Sequence, residues 1–162
     1  MSLQQLSVQR LRNLHQVELQ FDAGINLLYG LNASGKTSVL EAIHMLALGR
    51  SFRSLKLASV IGDGHIDCLL FAKVKNAQGV SDSLGMTRRL DGNHSIRLNG
   101  ENLGSVAELA SLLPIQLIDP NSSSLIEAGP SVRRQYLDWG VYHHNPNFFS
   151  LWKQAQRLLK QR

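Results

Sequence analysis

The residues from Gly30 to Thr37 carry the most explicit chemistry in the sequence. Gly30, Leu31, Asn32, Ala33, Ser34, Gly35, Lys36 and Thr37 fit the pattern G-x-x-x-x-G-K-[ST], and Ser38 follows directly. Each residue type has a physical reason to stand where it does. Gly30 and Gly35 let the backbone curl until successive N–H groups face inward as an anion nest. A helix opening near Gly35 points its positive end at the same spot. Lys36 brings a point charge to the outer phosphates, and the Thr37 hydroxyl is a ligand for Mg²⁺. The loop from Gly30 to Ser38 is therefore expected to hold the phosphates of a nucleotide, with Mg²⁺ at Thr37.

Binding phosphate is not hydrolysing it. Hydrolysis needs a second carboxylate on a neighbouring strand to hold the metal, and a group to orient water. The one apolar run ending in an acid is Ile115-Gln116-Leu117-Ile118-Asp119, interrupted by Gln116 and followed by Pro120. Asp119 is either a metal carboxylate, as a self-contained small P-loop kinase or NTPase would need, or a strand end running into an Asp-Pro turn.

The elements that must position this loop are legible from periodicity. Val17, Leu19 and Phe21 alternate with polar residues, as on a half-buried strand, with Leu6 and Val8 on a partner strand before it. Ile25 to Tyr29 is nearly all apolar, as a strand buried on both faces would be. Beyond Gly35 the period changes: Val39, Leu40, Ile43, Leu46 and Ala47 fall on one helical face, and Gly49 is the stop. Three strands follow, at His65 to Lys75, Ser83 to Leu90 and Ser95 to Leu98. They are separated by the turn dipeptides Gln78-Gly79, Asp91-Gly92 and Asn99-Gly100. Ser105 and Glu108 form a capping box for a short helix ending before Pro114. Another helix is expected over Ser131 to His143. Asn145-Pro146 then reads as the start of a third, whose apolar stripe is Phe148, Phe149, Trp152, Ala155, Leu158 and Leu159. That stripe runs almost to Arg162 without a cap. The chain is accordingly read as a piece of a longer protein, the alternative being a terminal helix packed on the sheet.

Composition bounds the function. The chain has 162 residues, 43% hydrophobic and 18% charged, which is ordinary globular usage. Its net charge is +5, and the basic excess lies in residues 1–60 and 121–162 around an acidic middle. Such a balance suits a polyanion such as nucleic acid, although the magnitude is also a normal solubility charge. The single cysteine, Cys68, excludes an internal disulfide and a multi-cysteine metal site, and it reads as a core residue. No apolar run is long enough to span a bilayer and the N-terminus has no signal-peptide pattern, so a cytoplasmic protein is expected.

The loop is embedded in NLLYGLNASGKTSVLEAIHMLALGRSFR. The N-terminus reads VQRLRNLHQVELQF, and further on stand NGENLGSVAELASLLPIQLIDP and GPSVRRQYLDWGVYHHNPNFFSLWKQAQRLLKQR. Together these segments resemble the RecF family of bacterial recombinational repair ATPases, with its SMC-like and ABC-like head, over essentially the whole chain. GKTSVLEAI, GRSFR and RRQYLDWG are far more specific than a bare P-loop.

The resemblance implies an α/β P-loop NTPase head. A mixed-sheet lobe would occupy residues 1–120, completed by sequence beyond the chain, and a helical lobe would start at 121–162. It implies a homodimer closed around ATP, with the P-loop from one protomer and an LSGGQ-like signature from the other. Neither that signature nor a convincing acidic motif is present, so ATP hydrolysis by this chain is expected to be weak or absent. The resemblance further implies binding to gapped duplex or single-strand/double-strand junctions, a RecR-type partner, and a role in loading recombinase at damaged replication sites. Arg12, Asn13, Arg53 and Gln116 become candidate nucleotide contacts. Arg50, Arg133 and Arg134 become candidate DNA contacts. The plain alternative for each is a solvated turn or helix face. Ala33 stands where many relatives have glycine.

Overall fold

In the computed structural model, residues 2–76, 78–103, 106–119, 129–145 and 147–161 are described. Two compact units emerge, Met1–Ile115 and Gln116–Arg162.

The first unit is built on a six-stranded sheet of order β2-β1-β3-β4-β5-β6. Its strands are β1 (Ser2–Leu11), β2 (Leu14–Gln20), β3 (Asp67–Lys75), β4 (Ser81–Arg89), β5 (His94–Leu98) and β6 (Glu101–Asn102). Every pairing is antiparallel. Alternation sets the register. Leu6 and Val8 of β1, Leu70 and Ala72 of β3, and Leu84 and Met86 of β4 all point to one buried face. The turn chemistry is as the dipeptides demand, with Asn99 and Gly100 at φ 51° and 90° turning β5 into the short β6. That strand was too short to show a period in the sequence.

Helix α1 (Lys36–Leu48) lies against the buried face, ending at Gly49 in the left-handed conformation with its N–H bonded to the Met45 carbonyl. The one-sided stripe expected for it is replaced by burial nearly all round. Glu41, Ala42, His44 and Met45 are buried alongside Val39, Leu46 and Ala47, while Leu40 is exposed. A helix between two layers hides more than one face. Two short helices complete the unit, α2 (Leu57–Val60), which has no sequence signal, and α3 (Val106–Leu112), whose Leu109 joins the core. Ser105, of the expected capping box, lies outside the described residues.

One expectation fails here. Ile25 to Tyr29 forms no strand: its backbone pairs with nothing among the described residues, and Ile25, Leu27 and Tyr29 are 100%, 80% and 86% exposed. A run apolar on both faces needs neighbours on both sides to become a strand. Ile115 to Ile118 is likewise irregular rather than a strand.

The second unit holds helices α4 (Pro130–His144) and α5 (Phe148–Lys160). Asn145 closes α4, its N–H bonding the Val141 carbonyl, and Asn147 rather than Asn145 caps α5. The Asn145 side chain accepts the Asn147 N–H at 2.9 Å, so the expected cap serves the turn instead. Pro146 lies outside the described residues. Trp152 donates to Asp138, tying the two helices together, and within α5 Lys153 sits over the Phe149 ring one turn before it. Trp152, Leu158 and Leu159 of the α5 stripe are exposed, as is Leu151 outside it.

Candidate nucleotide-binding site

The loop between Tyr29 and α1 folds as its glycines require. Gly30 and Gly35 stand at φ 146° and 99°, and Ala33 is left-handed at φ 65°. A Cβ on Gly35 would lie 2.5 Å from Leu14 Cδ2, so close approach to the β1–β2 hairpin demands glycine there as well. α1 begins at Lys36, and the first N–H groups of a helix have no acceptor within it. They open on a cavity of about 590 Å³ lined by the loop from Asn32 to Ser38 together with Arg12, Asn13, Arg53 and Ser59.

Lys36 lies across the loop. Its Nζ donates to the carbonyls of Gly30 and Leu31 at 2.9 and 2.7 Å. These are neutral acceptors, which an ammonium readily exchanges for anionic oxygens. Thr37 is exposed on the first turn of α1 and also lines the cavity. A phosphate chain therefore finds a curled backbone, a helix N-terminus, one lysine and one hydroxyl on a single wall. The chemistry of that donor set suits phosphate oxygens and a divalent cation beside them.

The tight turn between β1 and β2 braces this loop. Arg10 and Arg12 have φ 57° and 53°, and the turn delivers Asn13 to the loop. Asn13 Nδ2 donates to the Ala33 carbonyl at 2.8 Å, while its Oδ1 accepts from Ser38 Oγ at 2.9 Å. One amide thus holds both ends of the nest at once.

Glu41, one turn into α1, is fully buried and holds two arginines of the cavity wall. Arg12 Nε and Nη2 donate to its two oxygens at 2.9 and 2.7 Å, Arg53 Nη1 donates at 3.3 Å, and Ser51 donates its hydroxyl. Arg12 also donates to the Ser59 carbonyl. Burial alone would push the Glu41 carboxyl up. The Arg12 and Ser51 hydrogen bonds and the two guanidinium charges outweigh it and hold the group below its ordinary value. Nothing in the sequence marked Glu41, because an acid inside a helical pattern reads as a solvated face. The later positions Ser51 and Arg53, which it fixes, were the only available signal.

Of the other residues singled out from sequence, Arg50 is exposed and away from this cavity, although its carbonyl bonds His44 Nδ1 at 2.8 Å. Burial, with the Arg50 charge adding to it, holds His44 below the ordinary imidazole value. Gln116 belongs to the second unit and is exposed. Arg133 and Arg134 lie exposed in the first turns of α4. Asp119 lies in the second unit on irregular backbone, not on the strand end that the small-kinase reading expects. Among the described residues no three His, Cys, Asp or Glu side chains cluster as metal ligands, and no helix is long and apolar enough to cross a membrane.

Residues 2–125 match the family model described as the RecF/RecN/SMC N terminal domain. The DNA replication and repair protein RecF of Pseudomonas fluorescens is 52% identical over 162 residues, covering 100% of this chain and 44% of that protein. Its counterpart in Pseudomonas aeruginosa PAO1 is 50% identical over the same span. The chain thus spans less than half the length of these curated relatives. A solved structure of the recombination mediator protein RecF with ATP, from the RecFOR pathway, matches with a TM-score of 0.83 and 33% identity, over 98% of this chain and 43% of that one. An SMC ATPase from a study of ATP-driven dimerisation matches at a TM-score of 0.69 and 18% identity, over 85% of this chain and 98% of that one, which shows a shared fold. With a P-loop braced by the β1–β2 hairpin and a P-loop NTPase architecture common to RecF and SMC heads, the chain belongs to the RecF/RecN/SMC N-terminal domain family, with RecF proteins as its matched relatives.

Proposed function

We propose that this chain is the ATP-binding part of a RecF-type repair ATPase. The observation that carries the reading is the cavity wall on which the curled loop, Lys36, Thr37 and the Glu41-held arginines converge. Lys36 gives up the Gly30 and Leu31 carbonyls to pair with phosphate, Asn13 keeps the nest closed, and Arg12 and Arg53 add positive charge to the cavity lining. Gly30 to Ser38 would hold the phosphates with Thr37 toward Mg²⁺, and the ion would supply charge neutralisation there. The solved RecF relative was described with ATP, which supports the cofactor.

The remaining parts of the reading rest on the family. A complete head of this kind closes as an ATP-dependent homodimer, binds gapped or junction DNA, works with a RecR-type partner and acts in the cytoplasm. The exposed apolar run from Ile25 to Tyr29 fits a sheet lobe, residues 1–120, that gains its remaining strands from sequence further along such a protein, with the helical lobe starting at 121–162. Turnover by this chain alone is expected to be far below the ordinary enzyme range of about 1–10³ s⁻¹. Titration calorimetry with Mg·ATP tests the core of the proposal. The wild-type chain binds and Lys36→Ala loses binding; equal affinity for the two proteins sinks the assignment.

A further inference from the structure

The sheet has a second face. α1 covers one side, and on the other the outward residues form regular rows across the strands. The register places Glu18, Ser7, Phe71, Gly85 and Arg97 in one row, from β2 through to β5. The row on one side runs Gln20, Gln5, Lys73 and Ser83; the row on the other runs Gln16, Gln9, Leu69, Thr87 and Ser95. A trough of about 480 Å³ runs over this face, lined by Gln9, Leu69, Phe71, Gly85, Thr87 and Arg97 among others.

Three features of the trough belong together. Phe71 is a half-buried aromatic on the mostly apolar floor of the trough, between rows that carry glutamines, serines and Lys73. Its cross-strand neighbour Gly85 has no side chain, and a Cβ built there meets nothing within 4 Å, so the space beside the ring is empty. Arg97 stands directly across from Gly85 on the next strand, which puts a guanidinium and an aromatic ring on either side of a bare position, with their Cα atoms about 10 Å apart. Charge adds direction. Lys73, Lys75 and Arg97 are exposed, and among the described residues none of them makes an ion pair. The acids that point to this side are Glu18 at the far edge and Asp67, which Arg10 already neutralises at 2.7 Å. A flat surface with an aromatic at its centre, unpaired cations beside it and glutamines around it is complementary to an unpaired base with its phosphates. A purely apolar partner would leave those cations without counter-charge, and a duplex offers no exposed base face to the ring.

We propose that this face is a platform for single-stranded nucleic acid, in which an unpaired base stacks on Phe71 over Gly85 while neighbouring phosphates meet Lys73 and Arg97. It deepens the DNA part of the reading above and is independent of its nucleotide part.

The test is fluorescence anisotropy on the 162-residue chain, with a labelled oligothymidylate and a duplex of equal length across a salt series. Gly85→Val fills the empty space with a side chain that strands favour. It is expected to weaken oligothymidylate binding about tenfold, the scale of one lost base stack, with the thermal midpoint held or raised and Mg·ATP affinity unchanged. Phe71→Leu keeps the apolar packing, removes the ring and should weaken binding similarly. Lys73→Ala and Arg97→Ala should each make the slope of log affinity against log salt shallower by about 0.7. Wild-type affinity in both Gly85→Val and Phe71→Leu, or equal preference for the duplex, overturns the proposal. No affinity for either nucleic acid also overturns it and leaves the face to a protein. Absence of Mg·ATP binding by the wild type, with the oligothymidylate results as expected, overturns the nucleotide reading alone.

Discussion

Arg12 grips Glu41 with one edge of its guanidinium, Nε and Nη2 donating to the two carboxylate oxygens at 2.9 and 2.7 Å, across a separation of 29 residues. The carboxylate is fully buried, and the arginine is 17% exposed at the edge of the phosphate cavity. A β-hairpin tip, a helix and, through Arg53 and Ser51, the following loop are thereby locked to one side chain. A bidentate pair of this kind fixes direction as well as distance.

Glu41→Gln tests the lock. The amide keeps the volume but leaves Arg12 and Arg53 without their shared charge. Breaking a buried pair costs about 3–5 kcal/mol, and the partial exposure of both arginines brings the expected loss to about 2–3 kcal/mol. Urea unfolding measures it. A stability change within 0.5 kcal/mol, about the scatter of surface substitutions, contradicts the structural role.

The same carboxyl sets an acid limit. Its folded pKa lies below the ordinary value of 4.5, so its stabilisation is complete above that pH and is lost as pH falls through the folded value. His44, held below 6.5, contributes in the same direction at higher pH, because charging a buried imidazole opposes folding. Unfolding midpoints should fall in two stages on acidification, below about pH 6.5 and again below about 4.5. The second stage should be smaller in Glu41→Gln.

Substitutions at the two left-handed positions of the loop should behave oppositely. Gly35→Ala puts a methyl against Leu14 at a positive φ, and is expected to abolish Mg·ATP binding and cost 2 kcal/mol or more, roughly the scale of overpacking plus strain. Ala33→Gly relieves a left-handed alanine while loosening the unfolded chain. Its net effect should be under about 1 kcal/mol, with nucleotide affinity kept. Calorimetry and thermal melts on both variants decide.

Asn13→Leu removes the amide that joins the Ala33 carbonyl to the Ser38 hydroxyl. Two hydrogen bonds at about 1 kcal/mol each suggest roughly a thirtyfold loss in Mg·ATP affinity, with the sheet intact by circular dichroism. Unchanged affinity would show that the nest closes without its brace.

Cys68 is fully buried on β3, and burial, against the pull of an Arg88 backbone hydrogen bond, pushes its thiol up to about 11. The native protein should react with a thiol reagent only as fast as it opens, and at the free-thiol rate in urea. Rapid native reaction at neutral pH would place the residue at the surface.

Hydrogen exchange addresses Ile25 to Tyr29. In this chain those amides should exchange fast, since they pair with nothing among the described residues. In a RecF-type protein of the relatives' full length they should be protected. Fast exchange in both would mean that the run is a loop in the complete head.

By itself the sequence determined the curled loop, because Gly30 and Gly35 at fixed spacing let one short stretch of backbone turn ahead of Lys36 and Thr37, and that constraint is local. It also determined the antiparallel strands around Cys68 and Met86, whose period of two and turn dipeptides are local as well. The resemblance carried by GKTSVLEAI, GRSFR and RRQYLDWG pointed to the family that the relatives and solved structures show. Only the tertiary structure decided the rest. That Glu41 is buried and not on a solvated face depends on Arg12 arriving from a hairpin 29 residues earlier. That Asn13 touches the loop while Gln116 lies in the other unit depends on where the chain folds back. Ile25 to Tyr29 shows the same limit from the opposite side: apolar residues state a demand for neighbours, and a strand forms only where the fold supplies them.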